Sequence, residues 1–242
     1  MKANGKITAL WMPDKLDGLN ETDHADLARR IAAYAPHDGT FDLSIPGLHV
    51  SRYSRINADC VHAIHVPALC MIVRGAKTVI VGSDVYEYDA SRMLVFSVAL
   101  PVAAQVTRAS FADPYLALRL DFNPQKIADL VLKVFPHGLS PISERRGVYV
   151  TPLDAGIVNA TTRLMECLGQ PGDAELLAPL IVDEILIRLL RSHIGARFAQ
   201  MGLAESSVNR VSKAISWLRE NFSQPMKVDD LAELVHMSPS SF

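Results

Sequence analysis

Between Ile64 and Phe122 the chain reads IHVPALCMIVRGAKTVIVGSDVYEYDASRMLVFSVALPVAAQVTRASFADPYLALRLDF. Short runs of Val, Ile, Leu, Phe and Tyr alternate with turn signals at Arg74-Gly75, Gly82-Ser83-Asp84, Tyr88-Asp89-Ala90-Ser91 and Asp113-Pro114. Runs this short, broken this often, cannot be helices. They predict a meander of strands that closes on itself as a small barrel or sandwich. The strands are expected at Ala68–Val73, Lys77–Val81, Val85–Tyr88, Arg92–Val98, Val102–Arg108 and Tyr115–Phe122. Several are apolar on both faces, as a strand is when one face lines an interior and helices or a second sheet cover the other. A closed interior of this size has room for one small ligand.

Helical periodicity frames this stretch. Upstream, Thr22 to Ala35 places Leu27, Ile31 and Tyr34 on one face behind a Thr22 or Asp23 cap. Thr40–Ile45 and Leu48–Ile56 form a hairpin around Pro46-Gly47, with His49, Ser51, Tyr53 and Arg55 opposing Val50, Arg52 and Ser54. Residues 57–67 read as a polar connection holding Cys60, His62 and His65. Downstream, the period changes at Asn123-Pro124, a helix cap followed by proline at the first helical position. Leu153–Leu168 and Ala174–Ser192 read as a helical hairpin joined by Gly169-Gln170-Pro171-Gly172, a frequent device for pairing two copies. Residues 194–207 are expected to be a linker.

Composition narrows the function classes. An apolar content of 49% belongs to a globular chain. Twenty-four basic against twenty-six acidic residues, a net charge of −2, do not suit a protein that wraps nucleic acid with its whole surface, though one small DNA-reading module remains possible. No apolar run reaches the ~18 residues of a membrane span. Three cysteines are too few for a disulfide framework, which points to a reducing cytoplasm.

Near the end of the chain Val208, Val211, Ile215, Leu218 and Phe222 fall at helical spacing, and Ser223-Gln224-Pro225 stops the helix. A second helix follows at Val228–His236, with Leu231, Ala232 and Val235 inward. Ser238-Pro239 then opens a third, Ser238 being its cap. A short helix, a tight turn and a new helix are the layout of a helix-turn-helix.

Here the sequence resembles the AraC/XylS-type transcription regulators. Leu231-Ala232-Glu233-Leu234-Val235-His236-Met237-Ser238-Pro239-Ser240-Ser241-Phe242 is similar to the first unit of their DNA-binding domain. Val85-Tyr86-Glu87-Tyr88-Asp89, Leu100-Pro101-Val102, Pro114–Leu120 and Glu184–Leu190 resemble, in the same order, the cupin-like N-terminal domain of one branch. The resemblance implies an α+β chain: a loose leader over 1–24, a cupin-like effector-binding barrel over 25–122, a helical packing and dimerisation region over 123–205, and the beginning of a helix-turn-helix domain over 206–242. It implies a cytoplasmic, small-molecule-responsive regulator that is not an enzyme, needs no cofactor and forms homodimers. Its other partners would be an effector and, for the full-length parent, promoter DNA approached by Ser238, Ser240 and Ser241. A cupin-fold enzyme and a ligand-binding module without a DNA role are the alternatives.

Several residues invite chemistry. A metal-binding cupin needs imidazoles converging from barrel strands, but 68–122 contains no histidine, and His62 and His65 precede Pro67; no metal is expected. Cys70, on the first central strand, is either a small apolar filler or a thiol that senses an electrophile or oxidant, which requires a lowered pKa from Arg74 or Arg119. Cys60 is the more exposed thiol candidate, and Cys167 is expected to pack. Arg119 alternates with Tyr115, Ala117 and Asp121 against four apolar residues. It is open to two roles, gripping a ligand carboxylate or pairing with Asp121 or Glu87. Tyr86, Tyr88 and Phe96 either wall the pocket or fill core. Glu184 and Arg188 are an i, i+4 ion pair.

From Val208 onward Arg210, Lys213, Arg219 and Lys227 are balanced by Glu220, Asp229, Asp230 and Glu233. The balance is zero, so this stretch is expected to have little electrostatic hold on phosphate. A gel shift is expected to show no sequence-selective binding to promoter DNA; a tight, selective band would contradict this reading.

Overall fold

The computed structural model of the chain describes residues 21–56, 59–139 and 146–202, together with 214–215, 217–218, 221 and 227–238. The strands form two antiparallel sheets. The larger runs in the order β1 (Gly39–Asp42), β2 (Leu48–Tyr53), β9 (Tyr115–Asp121), β4 (Ala68–Arg74), β7 (Arg92–Phe96) and β10 (Val148–Pro152). The smaller runs β3 (Val61–His65), β8 (Leu100–Arg108), β5 (Ala76–Val81) and β6 (Asp84–Asp89).

Strand β4 shows why two sheets are needed. Its residues Ala68 to Val73 are all buried. Leu69, Met71 and Val73 face one core, and Cys70 and Ile72 face another. The same alternation splits Leu116, Leu118 and Leu120 of β9 from Tyr115 and Ala117, and Met93 and Val95 of β7 from Leu94 and Phe96. The first core is closed by helices α1 (Glu21–Tyr34), α2 (Pro124–Val134), α3 (Ala155–Cys167), α5 (Ala178–Arg191) and α6 (Gly195–Gly202). The second is closed by the smaller sheet, through Val79, Tyr88, Val102, Ala104 and Val106.

The local signals act as physics requires. Leu27 and Ile31 of α1 are fully buried. The Asn123 side chain accepts a hydrogen bond from the Gln125 N–H at 2.9 Å, capping α2, and Pro124 follows. Asp154 caps α3 in the same manner, accepting from Ile157 N–H at 2.9 Å. Glu184 accepts from Arg188 and from Arg163 of the neighbouring helix, so the expected i, i+4 pair is one arm of a three-residue network.

At Gly75 the chain leaves the larger sheet and enters the smaller. The glycine adopts φ +84°, and a Cβ there would lie 2.4 Å from the Arg108 carbonyl oxygen, so no other residue fits this corner without moving backbone. Pairing registers shift on both sides of it, between Ile72 and Arg74 on the β4–β9 ladder and between Ala76 and Lys77 on the β5–β8 ladder.

Three expectations need correction. Residues 57–67 are not merely a polar connection: Val61 to His65 pair along β8 as the edge strand β3. Alternation was invisible there because both faces of an edge strand keep some exposure. The helical hairpin is three helices, since Pro171 starts a short α4 (Pro171–Leu176) before α5. The expected linker contains α6, whose Phe198 is fully buried and meets Phe122 edge-on at 6.4 Å.

Farther along, α7 (Val228–Leu234) buries Leu231 and Ala232, and its Lys227 N–H is capped by the Asp230 carboxylate at 3.2 Å. His236 then takes φ +54°, and the Met237 N–H returns to the Ala232 carbonyl at 2.8 Å. This is a left-handed turn closing the helix. Most of the preceding helix expected at 208–222, and Ser240 and Ser241, lie outside the described residues; Ser238 is exposed.

Replacing Phe198 by Ala is expected to cost about 3–5 kcal/mol in a denaturant melt, the usual penalty for emptying a buried phenylalanine site. A linker residue would cost almost nothing.

Candidate functional site

The two sheets do not meet flush. A cavity of about 200 Å³ remains between them, walled by β1, β2, β4 and β9 on one side and by β3, β5, β6 and β8 on the other. Register explains which side chains reach it. His49 of β2 lies opposite Arg119 of β9, and Arg119 lies opposite Cys70 of β4, so these three form one row across the larger sheet. All three line the cavity, with Ser51, Tyr53, Tyr115 and Ala117 on the same inward face. From the smaller sheet, Lys77 and its cross-strand partners Tyr88 and Val106 complete the wall, with His65 and Ala63 of β3.

Arg119 is held by its own strand. Its Nη2 donates to Asp121 Oδ2 at 3.2 Å, while Nε lies 2.8 Å from Oδ1 but is not aligned for a hydrogen bond. Asp121 Oδ2 is also 3.1 Å from His49 Nε2, and His49 Nδ1 is 2.6 Å from Asp42 Oδ1. Of the two roles open to Arg119, ion pairing with Asp121 is thus formed, and Glu87 takes no part in it.

Lys77 stands differently. Its ammonium has no hydrogen bond or ion pair among the described residues. It keeps some accessible surface, which it meets through the cavity, yet protein packs densely around it. Burial lowers its pKa, and the neighbouring Arg119 charge lowers it further. Burial likewise takes His65 down to about 4, with help from Lys77 and Arg119, so the imidazole is neutral at pH 7. Its ring stacks on Phe96 at 5.0 Å.

Cys70 does not have the lowered pKa that a sensing thiol needs. Burial pushes it up to about 11, outweighing the opposing influence of Lys77 and Arg119. Arg74 is exposed at the strand end and does not line the cavity. Burial raises the Tyr88 and Tyr115 phenols as well.

Of the residues singled out from sequence, Cys70, Tyr88 and Arg119 share the cavity wall; Tyr86 and Phe96 do not. Tyr86 packs beside the inner core with its hydroxyl 3.4 Å from Asp84, and Phe96 is fully buried behind His65. Cys60 is half-buried and lies outside the cavity, while Cys167 is buried in the helix-side core. Lys77, His49 and Tyr115 were missed, and His65 was weighed only as a metal ligand. For His49 and Tyr115 the signal was present, since alternation places them on the faces of Ser51 and Arg119. For Lys77 it was not, because Val79 and Ile80 make both faces of β5 look apolar. Among the described residues, no three His, Cys, Asp or Glu side chains converge to hold a metal ion, and no helix is long and apolar enough to cross a membrane.

The family of N-terminal domains of AraC-type transcriptional regulators matches residues 44–197, which is well over half of the chain and includes both sheets from β2 onward. The chain belongs to this AraC-type family. Comparison with curated proteins gives no match. Among solved structures, the AraC-type chain is similar to ToxT from Vibrio cholerae strain SCE256, bound to an unsaturated fatty acid, at 8% identity and a TM-score of 0.50, covering 79% of this chain and 69% of that one. It is also similar to the AraC-like transcriptional activator CuxR, at 9% identity and a TM-score of 0.37, covering 82% and 69%. A cupin protein from Bacteroides fragilis shares 18% identity at a TM-score of 0.25, over 35% of this chain and 78% of that one. The ToxT likeness fits the mixed architecture of antiparallel sheets and helices.

The thiols give a direct check. With Ellman's reagent, Cys60 is expected to react readily in the native protein, whereas Cys70 stays silent up to about pH 9 and gains reactivity only as the pH approaches about 11. Fast modification of Cys70 at pH 7 would restore the sensing-thiol reading.

Proposed function

We propose that this chain is the effector-sensing part of a transcription regulator. The observation that carries the reading is the cavity between the sheets: it is partly enclosed, lined by apolar and tyrosine side chains, and furnished with a few polar groups, the usual make-up of a small-molecule site. In this reading residues 25–122 receive the effector, with Cys70 and Tyr88 as wall and Arg119 as a fixed polar element. The fatty acid in ToxT supports the view that such a domain serves a small molecule.

Residues 123–205 brace the sensor and pair two copies. Leu176, Leu177 and Leu180, which are 71%, 45% and 64% exposed, form an apolar edge on α4 and α5 suited to a second chain. Residues 206–242 begin a helix-turn-helix; the small Ala232, fully buried, and the left-handed turn at His236 support that layout. Effector binding would then favour one arrangement of the pair over another, which requires a different affinity for each. The free cysteines suit a cytoplasmic setting.

A thermal-shift screen tests this. Among small aldehydes, aromatic acids and sugars, at least one class is expected to raise the melting temperature of the wild-type chain. The Ala104→Leu substitution, which fills the cavity from β8, is expected to abolish that rise, judged against its own unliganded baseline. A response surviving intact in A104L would place the effector elsewhere.

A further inference from the structure

We infer that the cavity receives a compact organic anion, a carboxylate on a small apolar body, with the ammonium of Lys77 as the group that meets the charge. This rests on the cavity's being the effector site and names what that site selects.

The side chains that line the cavity include two basic groups, Lys77 and Arg119, and two histidines, His49 and His65. No Asp or Glu lines it among the described residues. The two cations are not equivalent. Arg119 already has a carboxylate on its own strand, and that carboxylate is fastened from the other side by His49. Lys77 has no such partner, and its position in the wall, paired across strands with Tyr88 and Val106, surrounds it with apolar and phenolic groups. An ammonium in such surroundings carries a desolvation penalty, which a bound anion relieves while keeping the charge. Burial lowering its pKa is the same penalty seen from the proton's side.

Size supplies the second restriction. An apolar cavity of about 150 Å³ holds a benzene molecule, so about 200 Å³ leaves room for a six-membered ring bearing one carboxylate. Tyr53, Tyr88 and Tyr115 provide aromatic walls for such a body, and Ala104, Val106 and Ala117 leave it space. A neutral ligand would leave the Lys77 charge uncompensated, and a cationic one would add to it.

The test uses benzoate, benzamide and benzylamine, three probes of one shape and different charge, titrated calorimetrically into the full 242-residue chain near pH 7. Benzoate is expected to bind most tightly, benzamide about tenfold more weakly and benzylamine not at all, in keeping with the strength of a charge-assisted hydrogen bond. Lys77→Met is expected to lower benzoate affinity about tenfold while leaving benzamide unchanged, and Lys77→Gln to behave alike. The unliganded K77M protein should melt no lower than wild type, because a buried unpaired charge has been removed. A purely structural lysine would show the reverse, a lower melting temperature with no change in probe preference. The inference is overturned if benzylamine or benzamide binds as well as benzoate, if K77M and K77Q hold benzoate within twofold of wild type, or if none of the three binds. The receptor reading itself is decided separately, by the wider thermal-shift panel.

Discussion

A sheet whose central strands are apolar on both faces has to be covered twice. Strands β4, β7 and β9 impose that condition here, and the three-layer arrangement follows from it. Helices cover one face with Leu27, Ile31, Ile157, Leu186 and Phe198, while the second sheet covers the other. At roughly 25 cal/mol per Å² of apolar surface removed from water, each cover contributes far more than any single hydrogen bond in the molecule. The cavity exists because the second cover is incomplete. Small residues in its wall, Ala63, Ala104 and Ala117, leave the space open between the tyrosines and the long charged side chains.

Much of this was legible in the residues. The turn spacing gave six of the ten strands among the described residues nearly at their observed limits, and the Asn123-Pro124 cap gave the start of α2. What stayed hidden had physical causes. Strand β3 is an edge strand paired only with β8 among the described residues, so its composition never had to suit a buried interior. Helix α6 follows α5 after a break at Ser192, whose N–H turns back to the Leu189 carbonyl at 3.1 Å; polar residues at the break read as linker while Phe198, a few positions on, anchors the core. The site was half legible. Alternation along 115–121 located Arg119, but only the fold could show that Asp121 occupies it and that His49 holds Asp121 from the other side.

That contrast between Arg119 and Lys77 illustrates how identity misleads. Arginine is the residue expected to grip carboxylates, with its planar fork. In this chain a carboxylate two positions away on the same face of the strand engages the fork, through one hydrogen bond and an ion pair, before any ligand arrives. The chain Asp42–His49–Asp121–Arg119 ties β1, β2 and β9 together at the rim of the cavity, and its worth is in holding that rim in one shape. Membership of the AraC-type family gives the class of domain; the disposition of charge inside the cavity is read from this chain's own residues.

The corner at Gly75 carries a consequence for how such a protein can vary. The chain changes sheets there, and the ladders on both sides slip in register. Side chains along a strand alternate strictly, so one residue inserted or lost between Gly75 and Val79 exchanges the faces of β5. Lys77 would turn out to water and Thr78 would turn in. A substitution along this segment therefore changes one side chain of the cavity wall and leaves the rest in place, whereas a change of length turns the whole strand over. Point substitution is the open route to a differently lined cavity here, and insertion is a closed one.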